Sequence, residues 1–117
     1  MTDDLRPIEE SPSETPVEAL DRLSGALEAV GKRGVAGSVE YDRAGIVFAI
    51  LAPDAVSFRL RDEVVAAALR TPGTALSTRG PDWITLETAA ADQFTLDRAV
   101  SWFESAWRLA GQNTTPA

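Results

Sequence analysis

Apolar residues recur along this chain with two different periods, and the switches between them predict its elements. Val17, Leu20, Leu23, Leu27 and Val30 return every three or four residues, the spacing of one helix face. Thr15 stands before them as an N-cap, Pro16 suits the first helical position, and Glu18 completes a capping box. Gly31 and Gly34 are expected to end this helix, leaving Lys32 and Arg33 in a solvated basic turn. From Ser38 the period falls to two. Val39 and Tyr41 alternate with Ser38, Glu40 and Asp42, and Asp42-Arg43-Ala44-Gly45 reads as a turn. Residues 46–52 are apolar at every position, which predicts a central strand covered on both faces. After the Pro53-Asp54 turn, Val56, Phe58 and Leu60 alternate with Ser57, Arg59 and Arg61, a further strand. Three strands joined by short turns predict an antiparallel meander.

A short helix follows, capped by Asp62 and running to Arg70, with Val64, Val65, Ala68 and Leu69 inward and Thr71-Pro72-Gly73 as its stop. Residues 78–82 read as a loop. Trp83 to Thr88 reads as a fourth strand with Ile84 and Leu86 on the core side. The last helix is expected to start near Asp92 or Thr95 and to end at Ala110, with Gly111 as C-cap. Its core stripe is Leu96, Ala99, Val100, Phe103, Ala106, Trp107 and Ala110. The fold class is therefore α+β: a small antiparallel sheet packed with an N-terminal, a short middle and a long C-terminal helix.

Composition narrows the chemistry. The 117 residues suit one domain, placed at 15–111 between tails at 1–14 and 112–117. Residues 1–14 hold five acids against one Arg and little apolar surface, so they are expected to be disordered. The formal net charge is −7, with no Cys and no His. A disulfide framework, a thiol nucleophile, a Ser-His-Asp triad and an imidazole zinc site are all excluded. The acidic balance disfavours a nucleic-acid partner. No apolar run approaches the ~20 residues of a membrane span, and the acidic start is unlike a signal peptide, so a cytoplasmic protein is expected. Ten of the eleven basic residues are Arg, a coding bias that suggests a GC-rich bacterial genome.

Four constellations invite a functional reading. Arg59 and Arg61, two apart on one strand, would share a face, and Arg79 could join them around a carboxylate or phosphate. Trp83 points opposite to Ile84 and Leu86, where it could line a ligand groove or close the core edge beneath a helix. Asp54, Asp62, Glu63 and Asp82 each sit where a turn or cap wants an acid, and nothing in the spacing converges them. Gly31-Lys32-Arg33-Gly34 lacks the spacing of a phosphate loop and follows a helix. No catalytic residue, cofactor site or metal site is predicted. Finally, Trp102 and Leu109 lie seven residues apart on a flank of the last helix, off its core stripe. They would either meet the rest of the domain or face a partner, the simplest being a second copy.

From Gly45 onward the order of elements resembles the MmcQ/YjbR-like family of small bacterial proteins. The likeness rests on Gly45-Ile46-Val47-Phe48-Ala49, Val56-Ser57-Phe58-Arg59-Leu60, Trp83-Ile84-Thr85-Leu86 and Ser105-Ala106-Trp107, within residues 38–110. Ile46 stands where the family carries Lys, and Asp82 where it often carries His. The N-terminal domain of TfoX-like proteins has a similar meander. The resemblance implies a DNA-binding-like α+β fold of unknown function. Together these readings give an expected function: a non-enzymatic binding module for a protein or small ligand. The alternatives are DNA binding by fold analogy, and small-molecule or anion binding near Trp83 and Arg59.

Overall fold

The computed structural model describes residues 15–88 and 93–113, so the expected tail at 1–14 lies outside the described residues. The first helix begins as its capping signals require. In α1 (Pro16–Ala26), Thr15 accepts a hydrogen bond from the Glu18 amide, and the Glu18 carboxylate accepts from the Thr15 amide. Four strands follow without interruption: β1 (Val30–Val35), β2 (Ser38–Arg43), β3 (Ile46–Leu51) and β4 (Ala55–Arg59). Then come α2 (Asp62–Ala68), β5 (Thr74–Leu76), β6 (Trp83–Glu87) and the long α3 (Gln93–Asn113). All pairings are antiparallel, in the order β1-β2-β3-β4-β6-β5. The class is α+β as expected, with six strands where the pattern suggested four.

Several boundaries differ from the sequence reading. The first helix stops at Ala26, and Val30, Gly31 and Gly34 belong to the edge strand β1. Helical spacing at Val30 loses to long-range pairing, because residues 30–35 match 43–38 residue for residue. Gly31 suits the strand for a local reason: a Cβ there would overlap the Asp42 carboxylate. Arg61, not Asp62, occupies the N-cap of α2, and it makes no side-chain cap bond. Helix α2 ends at Ala68 and not at Arg70. The three-residue strand β5 has no periodic signal; Thr74 ties it to the end of α2 by donating to the carbonyls of Ala68 and Thr71. Helix α3 runs through Gly111 and two residues past it, so Gly111 is inside the helix and not its C-cap.

The helices cover one face of the sheet. Tyr41, Ala49, Leu51, Val56, Phe58, Ile84 and Leu86 lie on that face in register across β2, β3, β4 and β6. Strand β3 is an inner strand as its pattern suggested, with Ile50 buried on the face away from the helices, and a bulge adds to its apolar character. Tyr41 pairs with Ala49 but Asp42 pairs with Val47, so Phe48 is an extra residue, a β-bulge. The bulge lets Phe48 and Ala49 both be fully buried in the same core. Helix α3 lays Leu96, Ala99, Phe103, Ala106 and Ala110 against this face. Its alanines permit close approach, and the Phe103 ring meets Tyr41 and Phe48 edge-on, each at 5.1 Å between centroids. Helix α1 packs Ala19, Leu20 and Leu23 beside α3 and over β1.

A second contact fastens the end of α3. Arg43 lays its guanidinium carbon 3.8 Å over the Trp107 ring and donates to the Trp107 carbonyl at 3.1 Å. Trp107 in turn donates its indole N–H to the Glu28 carbonyl at 2.8 Å, joining α3 to the turn after α1. Gly111 leaves room for this arrangement, since a Cβ there would overlap Arg43 Nη1.

The hairpin turns and this latch can each be tested by substitution. Ala36-Gly37 and Ala44-Gly45 close two-residue hairpins with positive φ at both positions (50° and 84°, 52° and 91°). A Cβ is strained there and Asn tolerates the conformation, so Ala36→Asn and Ala44→Asn should each raise stability by about 0.5–1 kcal/mol in chemical denaturation. Gly111→Ala should gain nothing in the native background, because the new Cβ displaces Arg43. In an Arg43→Ala background the same change should stabilise by about 1 kcal/mol, the ordinary helix preference of Ala over Gly.

Candidate functional site

Two surface regions gather the residues singled out in the sequence. The first lies where β4 ends. Arg59 is the last residue of β4, and the chain turns at Leu60 into α2, so Arg61 leaves the strand. The expectation that Arg59 and Arg61 share a strand face is therefore corrected. They nevertheless border one open cleft of about 420 Å³, with Asp62, Glu63, Asp82, Leu109 and Gln112. Arg59 Nε pairs with Asp82 at 2.8 Å, and Arg61 donates to Gln112 at 2.7 Å and faces Glu63 at 3.9 Å. Three carboxylates surround two guanidiniums, so the cleft is an ion-paired surface and not an exposed cationic one. Asp62, Glu63 and Asp82 all border this open cleft, Asp82 paired with Arg59. Asp54 is not among its residues.

Trp83 pairs across to Arg59 and so stands on the helix-free face of the sheet. It is buried there on the face away from the described helices, which pack on the Ile84 and Leu86 side, and this corrects the expectation of a Trp beneath a helix. The loop before β6 covers it instead: Arg79 sits 5.5 Å above the ring, and Gly80 accepts from the Trp83 amide. Arg79 is thus held over Trp83 by a cation–π contact and is not among the residues that line the cleft with Arg59 and Arg61.

The second region is the outer surface of α3. Trp102 is half-buried, its ring edge-on to Phe58 at 6.1 Å. Its remaining surface borders a hollow of about 320 Å³ with Phe94, Asp97, Arg98 and Ser101. Leu109, seven residues on, borders the Arg59 cleft, so the two flank residues lie in separate depressions. Phe94 is not among the residues the sequence singles out, yet it is 70% exposed, more than any other large apolar residue described. A signal for it exists: it precedes Arg98 by four and Trp102 by eight, and at 100° per residue it points away from Phe103 and Leu96. Arg98 lies over the Phe94 ring at 6.0 Å, and Pro72 and Thr95 border an adjoining hollow with them.

The helix-free face carries a third depression, of about 320 Å³, between β1, β2 and β3. Arg33 and Glu40 pair there at 2.7 Å, and Asp42 accepts from the Gly45 amide at 2.9 Å, so its charges already have partners. Among the described residues, no three His, Cys, Asp or Glu side chains gather to hold a metal ion. No helix among them is long and apolar enough to cross a membrane. The pKa of the Tyr41 phenol is pushed up to about 12, first by burial and then by the nearby Asp21 carboxylate, which marks it as a core group kept neutral.

Because Trp102 is only half-buried, Trp102→Ala should cost about 2 kcal/mol in chemical denaturation, less than the ~3–5 kcal/mol of a fully buried Trp. No family model, curated protein or solved structure matches this chain.

Proposed function

We propose that this chain is a non-catalytic protein-binding module whose contact surface is the outward face at the start of α3. The observation that carries this reading is the 70% exposure of Phe94 beside the half-buried Trp102, with Arg98 between them. Covering an aromatic ring of this kind yields roughly 1.5–3 kcal/mol, and Trp, Phe and Arg are the residue types that anchor interfaces. The charges favour a protein over a polyanion. Lys32 pairs with Asp21, Arg33 with Glu40, Arg59 with Asp82 and Arg108 with Glu104, so these cations are engaged within the molecule. The DNA-binding role suggested by the MmcQ/YjbR-like resemblance is a fold analogy and contributes no residue to this surface. The Arg59–Arg61 cleft supports a second reading, a small polar ligand that would have to compete with Asp82 for Arg59.

A photo-crosslinking residue at position 94, introduced into the chain in its native host, tests the leading reading. Discrete protein adducts are expected from position 94, and none from position 17, where Val17 is also exposed but lies outside the proposed surface. Equal or absent labelling at the two positions would overturn it.

A further inference from the structure

We propose that residues 4–10, Asp4-Leu5-Arg6-Pro7-Ile8-Glu9-Glu10, dock on the outward face at the start of α3, so that the chain carries its own competitor for that surface. The inference rests on the protein-binding reading above for its surface and adds an occupant from the same chain. The path of the described residues brings the segment to this face. Asp21 of α1 pairs with Lys32, Lys32 stands opposite Tyr41 in register, and the Tyr41 ring meets Phe103. Glu28, just after α1, accepts from Trp107. Asp21 is therefore level with Phe103 and Glu28 with Trp107, so α1 and α3 run side by side in one direction. Thr15, six residues before Asp21, comes level with residue 97, six before Phe103, at the opening turns of α3. From Thr15 back to Ile8 the chain reaches up to ~23 Å, more than the ~10 Å width of the helix it has to cross.

The chemistry of the two sides matches. Pro7 fixes its own φ and turns Arg6 toward extended backbone, so this stretch favours a polyproline II helix. That helix has three residues per turn, which puts Leu5 and Ile8 on one side, ~9 Å apart. Aromatic-lined grooves are the surfaces that take such segments. Phe94 and Trp102 border one hollow, and Phe94 and Pro72 the next, with ~12 Å of helix between the two aromatics. Acids bracket the apolar pair, Asp3 and Asp4 before it and Glu9 and Glu10 after it. Arg98 borders both hollows, lies over Phe94 and has no ion-pair partner among the described residues. The one carboxylate among the residues that border them, Asp97, accepts from Gln93 at 2.9 Å. Weak affinity suffices, because a short tether holds the segment at an effective concentration of ~1 mM. The composition that predicts disorder for 1–14 concerns the segment alone, with no surface to dock on.

Paramagnetic broadening in the full chain tests this. The sequence has no cysteine, so Thr2→Cys takes a single nitroxide, placed ahead of the docking residues and far along the chain from Thr15. The reference is the same labelled chain with Leu5→Ser and Ile8→Ser. Against it, the amide signals of Phe94, Arg98 and Trp102 should relax about twofold faster or more. Phe94→Glu should remove the same excess, with circular dichroism confirming that the change at this exposed position leaves the fold intact. Equal broadening with and without Leu5 and Ile8, or broadening indifferent to Phe94→Glu, would overturn the inference. In the crosslinking experiment at position 94, Leu5→Ser with Ile8→Ser should raise the adduct yield about twofold or more, because the competitor is gone. A yield that stays the same would count equally against it. Adducts without excess broadening exclude the segment and leave the protein-binding reading standing. Excess broadening with no adduct from either chain excludes the protein-binding reading and leaves the segment as the occupant of the face.

Discussion

The helix–sheet interface depends on one extra residue in β3. Side chains along a strand alternate between faces, so β3 without Phe48 as a bulge could not send both Phe48 and Ala49 to the same side. With the bulge, Phe48 stands beside Tyr41 of β2, and the Phe103 ring of α3 finds two aromatic edges in one place. That cluster sets where α3 lies across the sheet. Helix α1 then leans on α3, and the hydrophobic core extends from Leu20 and Leu23 through Phe103 to Ile84 and Leu86 without a break.

Once α3 is seated, its far end is held by polar groups acting on apolar ones. Arg43 belongs by register to the helix side of β2, where a charge would ordinarily be costly. It reaches the end of the sheet, stacks on Trp107 and satisfies that residue's carbonyl, while Trp107 satisfies the carbonyl of Glu28. A helix, a strand and a turn are joined through one guanidinium and one indole. The absence of a side chain at Gly111 is part of the same contact, which is why a glycine is tolerated inside a helix here.

Helix α3 thus has two faces with opposite demands. The inner face is small and aromatic, suited to close packing. The outer face at its start is aromatic and charged, with Phe94, Arg98 and Trp102 arranged around Ser101. Trp102 belongs to both: its edge against Phe58 fixes its position, and its remaining surface is presented to solvent on a rigid support. The Arg59 cleft is built differently, from the ends of β4, α2 and α3 and the turn before β6, and its opposite charges neutralise one another in place.

The local signals in the sequence are sufficient for the α+β class, the capping box of α1, the meander of β2, β3 and β4, the inward positions of Ile84 and Leu86, and the core stripe of α3. Each of these rests on periodicity or on a cap within a few residues. The positions of Trp102, Leu109 and Phe94 off the core stripe all follow from spacing along α3, but Phe94 stands ahead of the stripe that begins at Leu96 and so draws no attention from it. What the chain does not disclose locally are features made by distant pairing. Strand β1 exists because residues 30–35 match β2, against a helical spacing at Val30. The bulge at Phe48 shows only in the pairing of β3 with β2, and its use shows only in the contact that Phe48 makes with Phe103 of the last helix. Arg61 leaves the strand because the chain turns at Leu60, and Trp83 finds cover from Arg79 and Gly80 and not from a helix. Sequence alone determined which faces are apolar, since that depends on spacing along one element. Only the tertiary structure decided which of those faces meet, which charges pair and which aromatic ring is left in water, because each of those depends on what another element has already covered.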